Sequence, residues 1–100
     1  RVDVVVDAQG RVADLGAQLQ ACALGQASTA LMAAHAKGRS GPEIGIARDA
    51  LRAYLANTAE HPGEWPGLEI FAAARNHPGR HAAILLAFDA AAEAATAAAR

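Results

Sequence analysis

The chain has 100 residues and a formal net charge of −1, so it has room for one compact domain and gives no reason to expect nucleic acid or an anionic membrane as a partner. Hydrophobic residues make up 53% of the chain and charged residues 19%, which excludes a disordered protein. No apolar run approaches the roughly 20 residues that cross a bilayer, and no basic region followed by an apolar stretch indicates a secretory signal.

The N-terminal segment has the pattern of a β-hairpin. Residues 2–6 are rich in β-branched valine at the two-residue period of a strand. Residues 7–11 have the chemistry of a turn, in which Gly10 is free to take positive φ. Residues 12–19 form the predicted second strand, with an irregularity near Gly16. Because two strands alone are marginally stable in water, the hairpin needs a third strand or a helical cover.

Helical spacing replaces the two-residue period after residue 22. Apolar residues then recur at intervals of three and four, and glycine and proline separate the runs. The predicted helices are residues 23–37, closed by Gly38; a second helix capped by Ser40, with Pro42 and Glu43 in its first turn, that ends before a loop at residues 57–67; residues 68–75; and, after a break at Pro78 and Gly79, residues 80–99. These elements predict an α+β domain in which an antiparallel β-hairpin, part of a small sheet, packs against about four helices.

Alanine accounts for much of the apolar composition, so we expect a thin core built from close contacts between helices. Trp65, Phe71 and Phe88 are the large side chains available to anchor that core. Trp65 lies in a predicted loop, and two interpretations of it stay open. An exposed tryptophan is a typical anchor for a protein partner, whereas a buried one would fold onto the helices.

The single cysteine, Cys22, lies where the hairpin meets the first helix. A thiol at a helix N-terminus lies at the positive end of the helix dipole, which favours the thiolate that binds metal or attacks an electrophile. The alternative is an ordinary small buried side chain without reactivity. One cysteine cannot form an internal disulfide, which agrees with a reducing compartment, and we expect a cytoplasmic protein.

Four local motifs, in order, cover almost the whole chain. The first is the hairpin with its acidic, glycine-containing turn. Residues 21–30 resemble the helix start G-C-x-x-x-x-A-S-x-S, and residues 37–40 (KGRS) are similar to K-G-K-S. Residues 78–88 resemble P-x-R-x-x-C-A-x-L-A-W, with Phe88 in place of the tryptophan. On these motifs the chain resembles the N-terminal scaffold domain of the NifU/IscU/SufU family of iron–sulfur cluster assembly proteins.

The resemblance implies a fold of the SufU/IscU type and a carrier role, not an enzyme. Such a scaffold binds iron or a nascent iron–sulfur cluster, receives sulfur from a cysteine desulfurase and passes the cluster to client proteins. It implies that Cys22 is a ligand and that Arg80 lies near the same end of the fold, where a cation would stabilise the thiolate and attract sulfide. His81 is an auxiliary ligand if the alignment is shifted by one residue.

The chain departs from the family pattern at the ligands. The third ligand cysteine aligns with Ala83, or with Ala82 under the IscU pattern, and alanine cannot bind metal. The first cysteine and its aspartate would lie in a C-G-D segment before Arg1, together with an N-terminal strand. A zinc or iron–sulfur site needs about four N, O or S ligands. Cys22 and His81 supply two, so we expect residues 1–100, a single domain, to bind iron, a cluster or zinc only weakly.

Other interpretations stay open beside the scaffold. The domain is an interaction or regulatory module if it keeps the fold without cluster binding, and the alanine at the third cysteine position favours this alternative. A zinc-dependent sulfur-transfer protein of the SufU kind is a third hypothesis. Arg80 has the alternative of a solvated arginine at a helix start, and His81 that of a histidine satisfied by water or backbone. His77 precedes a proline in a loop and requires no function.

Overall fold

The computed structural model describes residues 2–17 and 23–99. These residues form two strands, three α-helices and two 3-10 elements, and they confirm the predicted α+β class. The elements are β1 (Val2–Val6), β2 (Val12–Ala17), α1 (Ala23–His35), α2 (Gly41–Leu55), the 3-10 segment Leu68–Asn76, the short 3-10 turn Pro78–Arg80, and α3 (His81–Ala98). Cys22 and Leu19, the predicted end of the second strand, lie outside the described residues.

The predicted hairpin is present, with β1 and β2 paired antiparallel. In the turn, the Asp7 carboxylate accepts hydrogen bonds from the backbone N–H groups of Gln9 and Arg11 at 2.9 and 3.0 Å. Gly10 has φ 75°, the left-handed conformation expected of it. An aspartate that bonds the backbone N–H two residues ahead is the usual way in which this side chain stabilises a turn.

The expected irregularity near Gly16 is wrong in position. Gly16 pairs regularly with Asp3, and the break in register lies between Val5 and Val6. Val5 pairs with Asp14 and Val6 with Val12, so β2 contains one extra residue there. A bulge of this kind increases local strand twist. Its place beside the turn keeps Val6 and the buried Val12 on the side of the core.

Helices supply the cover that the hairpin needs. Val4 and Val6 pack against the core, and α3 lies along β1. The start of β2 is also joined to the α1–α2 connection, because Gly38 N–H donates to the Val12 carbonyl at 2.7 Å. The Arg11 guanidinium donates to the Gly38 carbonyl at 3.0 Å and to the Glu43 carboxylate at 2.7 Å. The hairpin is therefore fixed to the start of α2 as well as to α3.

The helix boundaries follow the predicted capping residues closely. α1 ends at His35, two residues before the predicted end, and Gly38 beyond it has φ 87°. The Ser40 hydroxyl accepts the Glu43 backbone N–H at 3.3 Å at the start of α2. The predicted helix at 68–75 is instead the 3-10 segment. Its buried residues, Leu68, Phe71 and Ala74, recur every three positions, which is the period of a 3-10 helix.

Trp65 is buried, so its interpretation as an exposed docking anchor is wrong. Its side chain is 3% exposed and its indole N–H donates to the Leu31 carbonyl at 2.9 Å. The indole also meets the Phe88 ring edge-to-face, with 5.2 Å between ring centroids. The Arg39 guanidinium lies 5.1 Å from the indole centroid. The loop therefore folds back onto α1 and α3, and the three expected aromatic anchors are all buried.

The last helix is the central element of the core. Residues 78–98 are long and apolar enough, by length and composition alone, to cross a membrane. Asp89 and Glu93 interrupt the apolar sequence, which is why no continuous run stands out. In the fold, α3 buries Ile84, Phe88 and a series of alanines between the other elements. The Asp89 carboxylate forms an ion pair with Arg52 of α2 at 3.3 Å. This charged pair lies on the outward face of α3.

α2 lies very close to α3 at Gly41. A Cβ atom at this position would lie 2.8 Å from the Thr96 backbone nitrogen and 3.1 Å from its Cα, which cannot move aside without shifting α3. Gly45, one turn later on α2, has room, because its Cβ would meet only the end of the Arg48 side chain at 3.6 Å. A larger side chain therefore fits at Gly45 but not at Gly41.

We predict that Gly41→Ala lowers the free energy of unfolding by about 1–3 kcal/mol, because it overpacks a backbone contact. Gly45→Ala is the matched control. It adds the same methyl group to the same helix without a clash, and should raise stability by up to about 1 kcal/mol through helix propensity. Urea denaturation followed by circular dichroism measures both changes. Equal effects of the two substitutions would show that the close approach at Gly41 is not restrictive.

Candidate functional site

Three elements converge beside the N-terminal end of α3. A cleft of about 190 Å³ lies between the start of α1, the 3-10 segment and the short 3-10 turn. The side chains that line it are Leu24, Ile70, Ala73, Ala74, His77 and Arg80. Leu24 belongs to the first turn of α1 and follows Cys22 by two positions. The sequence neighbourhood of the cysteine therefore reaches the same cleft as the start of the last helix.

A buried hydrogen bond holds the two helix starts together. The Ser28 side chain is fully buried, and its hydroxyl donates to the Ile84 carbonyl of α3. Ser28 lies in the second turn of α1 and Ile84 in the first turn of α3. Because a buried hydroxyl without a partner is costly, this bond favours the packing in which these turns touch. Ser28, one of the small residues of motif 21–30, therefore has a packing role.

Arg80 and His77 provide the polar rim of the cleft. Both side chains are exposed. Within residues 2–17 and 23–99 the Arg80 guanidinium makes no ion pair or hydrogen bond, so its charge is available to an anion. Sequence reasoning gave His77 no role. The sequence signal that could have identified His77 is its position three residues before Arg80. Residues three apart lie on one side of a 3-10 turn.

His81 is the first residue of α3 and is half-buried. Its Nε2 lies 2.8 Å from the carbonyl oxygen of Ala74, at the end of the 3-10 segment. This is the backbone contact that the simpler interpretation of His81 anticipated. It does not exclude a ligand role, because metal-binding histidines commonly donate their second ring N–H to a carbonyl.

The two alanines predicted to occupy the third cysteine position, one in each alignment, lie in the first turn of α3. Ala83 is half-buried and Ala82 is exposed. Neither methyl group can bind a metal. Among the residues that the structure describes, no three His, Cys, Asp or Glu side chains are grouped closely enough to hold a metal ion. His81 is thus the one described member of the predicted ligand set, since Cys22 lies outside the described residues.

Comparison with known proteins decides the family. No protein-family model and no curated protein matches the sequence. Among solved structures, the N-terminal part of a nitrogen-fixing NifU-like protein from Brucella abortus matches with a TM-score of 0.88 and 34% sequence identity, over 97% of this chain and 67% of that one. The chain belongs to the NifU-like family of scaffold domains. The resemblance inferred from the four motifs is therefore confirmed for the NifU-like domain as a whole.

Within this NifU-like domain, we predict that Ser28→Ala lowers the free energy of unfolding by about 1 kcal/mol, the net value of one buried hydrogen bond. Thr29→Ala is the matched control, because the Thr29 hydroxyl bonds only to the Gly25 carbonyl of its own helix at 2.9 Å. That change should stay within about 0.5 kcal/mol. Thermal and urea unfolding measure both. A larger loss of unfolding free energy for Thr29→Ala than for Ser28→Ala would show that the Ser28–Ile84 hydrogen bond does not stabilise the packing of α1 against α3.

Proposed function

We propose that this domain is a carrier in iron–sulfur cluster assembly and not an enzyme. Its cargo is iron or a nascent cluster, with sulfur supplied by a cysteine desulfurase and the product passed to iron–sulfur client proteins in the cytoplasm. The observation that carries the proposal is the likeness to a NifU-like N-terminal domain over 97% of the chain. The cleft at the start of α3 also supports the proposal, because this cleft lies beside the starts of α1 and α3, which carry the motif residues.

Each candidate residue has a separate role in this proposal. Cys22 is the thiolate ligand of the cargo. His81 is the auxiliary ligand, and its ring is already held on one side by the Ala74 carbonyl. Arg80 supplies a positive charge that lowers the cost of thiolate and sulfide near it. An uncompensated arginine at the cleft suits an anionic cargo better than a neutral one.

The residues present fit such a cargo only in part. Cys22 and His81 provide two of the roughly four donors that an iron–sulfur or zinc site needs. The other donors must come from another part of the protein or from a partner. We therefore expect weak, transient loading with iron, with a cluster or with zinc.

An interaction or regulatory module is the second candidate function. The observation that favours it is Ala83, which fills the third cysteine position with a methyl group in the half-buried first turn of α3. Such a module would keep the surface of the NifU-like domain and bind the assembly machinery without carrying a cluster. The two functions differ in whether the native chain itself binds iron and sulfide.

We predict that Ala83→Cys increases the iron and sulfide retained after anaerobic reconstitution, because it adds a thiolate donor at the start of α3. Ala82→Cys tests the alternative alignment, and the better of the two variants identifies the correct register. Ala94→Cys is the control. It adds a thiol to a half-buried position of the same helix, but roughly 16 Å further along its axis at 1.5 Å per residue. Visible absorption and bound-iron analysis measure the loading.

A second series removes donors. Cys22→Ala should abolish the absorption bands of the reconstituted protein, and His81→Ala should reduce them. Cys22→Ala in the Ala83→Cys background should return loading to the level of the Ala94→Cys control. If the native chain and both restored variants bind no more iron and sulfide than Cys22→Ala, the carrier function is wrong and the interaction module is favoured.

A further inference from the structure

The Ala74 carbonyl determines which nitrogen of His81 is protonated. A carbonyl oxygen can only accept a hydrogen bond, so the 2.8 Å contact requires the proton on Nε2. In the neutral ring, the lone pair is then on Nδ1. Within the described residues Nδ1 has no hydrogen-bond partner. The contact therefore leaves one defined donor atom of the imidazole available.

The Ala74 carbonyl is itself held by the end of the 3-10 segment. This oxygen also accepts the backbone N–H of His77 at 2.9 Å, which closes the last turn of the segment. The C-terminal carbonyls of a helix lack partners within the helix and are satisfied by donors that follow it. Here the donors are the N–H of His77 and the ring of His81. The position of His81 therefore depends on where this segment ends.

The next residue, Arg75, fixes that end to α2. Its guanidinium donates from Nε to the Tyr54 carbonyl at 2.8 Å and from Nη2 to the Ala59 carbonyl at 2.9 Å. It also lies over the Tyr54 ring, 4.4 Å from the centroid. The Arg75 carbonyl accepts a further bond from the Asn57 side chain at 3.4 Å. One residue thus joins the last turn of α2, the loop after it and the 3-10 segment.

We propose that Arg75 is a positioning residue for His81. By holding the end of the 3-10 segment, it places the Ala74 carbonyl against Nε2–H and presents Nδ1 as the donor atom toward a bound cation. The identity of that cation rests on the proposed function, whereas the tautomer of the ring does not. Within the described residues the Arg75 side chain bonds to Tyr54 and Ala59 and not to His81, so its proposed action on His81 passes through the Ala74 carbonyl.

Nitrogen-15 NMR of the histidine rings in the metal-free protein tests this directly. At about pH 8, where an ordinary histidine is neutral, His81 should show a protonated Nε2 and an unprotonated Nδ1. The ratio of the Nε2–H to the Nδ1–H tautomer should be about fivefold higher at His81 than at His61, the factor that one net hydrogen bond supplies. His61, an exposed loop residue, is the internal control, because no hydrogen bond should favour one of its two tautomers. A His81 ring protonated on Nδ1, or mixed like His61, would overturn the proposal.

Variants separate positioning from folding. Arg75→Lys keeps a cation near Tyr54 but cannot bond both carbonyls, and Arg75→Met removes the charge as well. Each should shift the His81 tautomers toward the His61 mixture in protein that is still folded, while His35, which contacts Trp65, stays unchanged. If either variant folds and the His81 tautomers do not move, Arg75 has no positioning role.

Zinc titration of the same NMR sample distinguishes this inference from the proposed function. A shift at Nδ1 with Nε2 still protonated supports both. If zinc binds elsewhere on the chain and leaves Nδ1 unchanged, the assignment of the donor atom is wrong. If no zinc binds but the tautomer is as stated and responds to Arg75, the positioning role is supported and only the metal-carrying function fails.

Discussion

The burial of α3 is the constraint on which the rest of the described structure depends. α1, α2 and β1 all pack on this helix, and its buried residues are four alanines with Ile84, Leu85 and Phe88 as the large side chains. Small side chains add little apolar area each, so the helices must approach closely for the core to exclude water. The backbone contact between Gly41 and Thr96 is the result. Stability in this domain comes from close fit more than from bulk.

The same packing builds the candidate site. The Ser28–Ile84 bond aligns the starts of α1 and α3, and the 3-10 segment then closes the third side of the cleft. Only the rim of this cleft is polar, with Arg80 and His77 exposed and the His81 ring turned toward the Ala74 carbonyl. The framework around the start of α3 is thus intact, although an alanine is predicted at the third cysteine position in either alignment. The framework and the ligand set can therefore be separated, which makes restoration of a ligand by substitution a meaningful test.

Much of the fold could be predicted from the sequence, because its boundaries are set by local chemistry. The Ser40 cap and the positive φ of Gly10 and Gly38 depend on neighbouring residues only. The 3-10 geometry of residues 68–76 was missed because a three-residue period differs little from a helical one over two turns. The His81–Ala74 contact could not be predicted, since it depends on how the chain turns at Pro78. Nor could the burial of Trp65, because its partners Leu31 and Phe88 lie far away in sequence.

The enclosed indole gives the domain a built-in optical probe. Trp65 is the single tryptophan of the chain, and it touches α1 through the Leu31 carbonyl and α3 through Phe88. Its fluorescence emission therefore reports on the contact between those two helices and on the Arg39 side chain beside the indole. A binding event that separated the helices would move the indole into water and shift its emission to longer wavelength. A partner that docked on the outer surface alone would leave the spectrum unchanged, so one chromophore distinguishes opening of the core from contact at the surface.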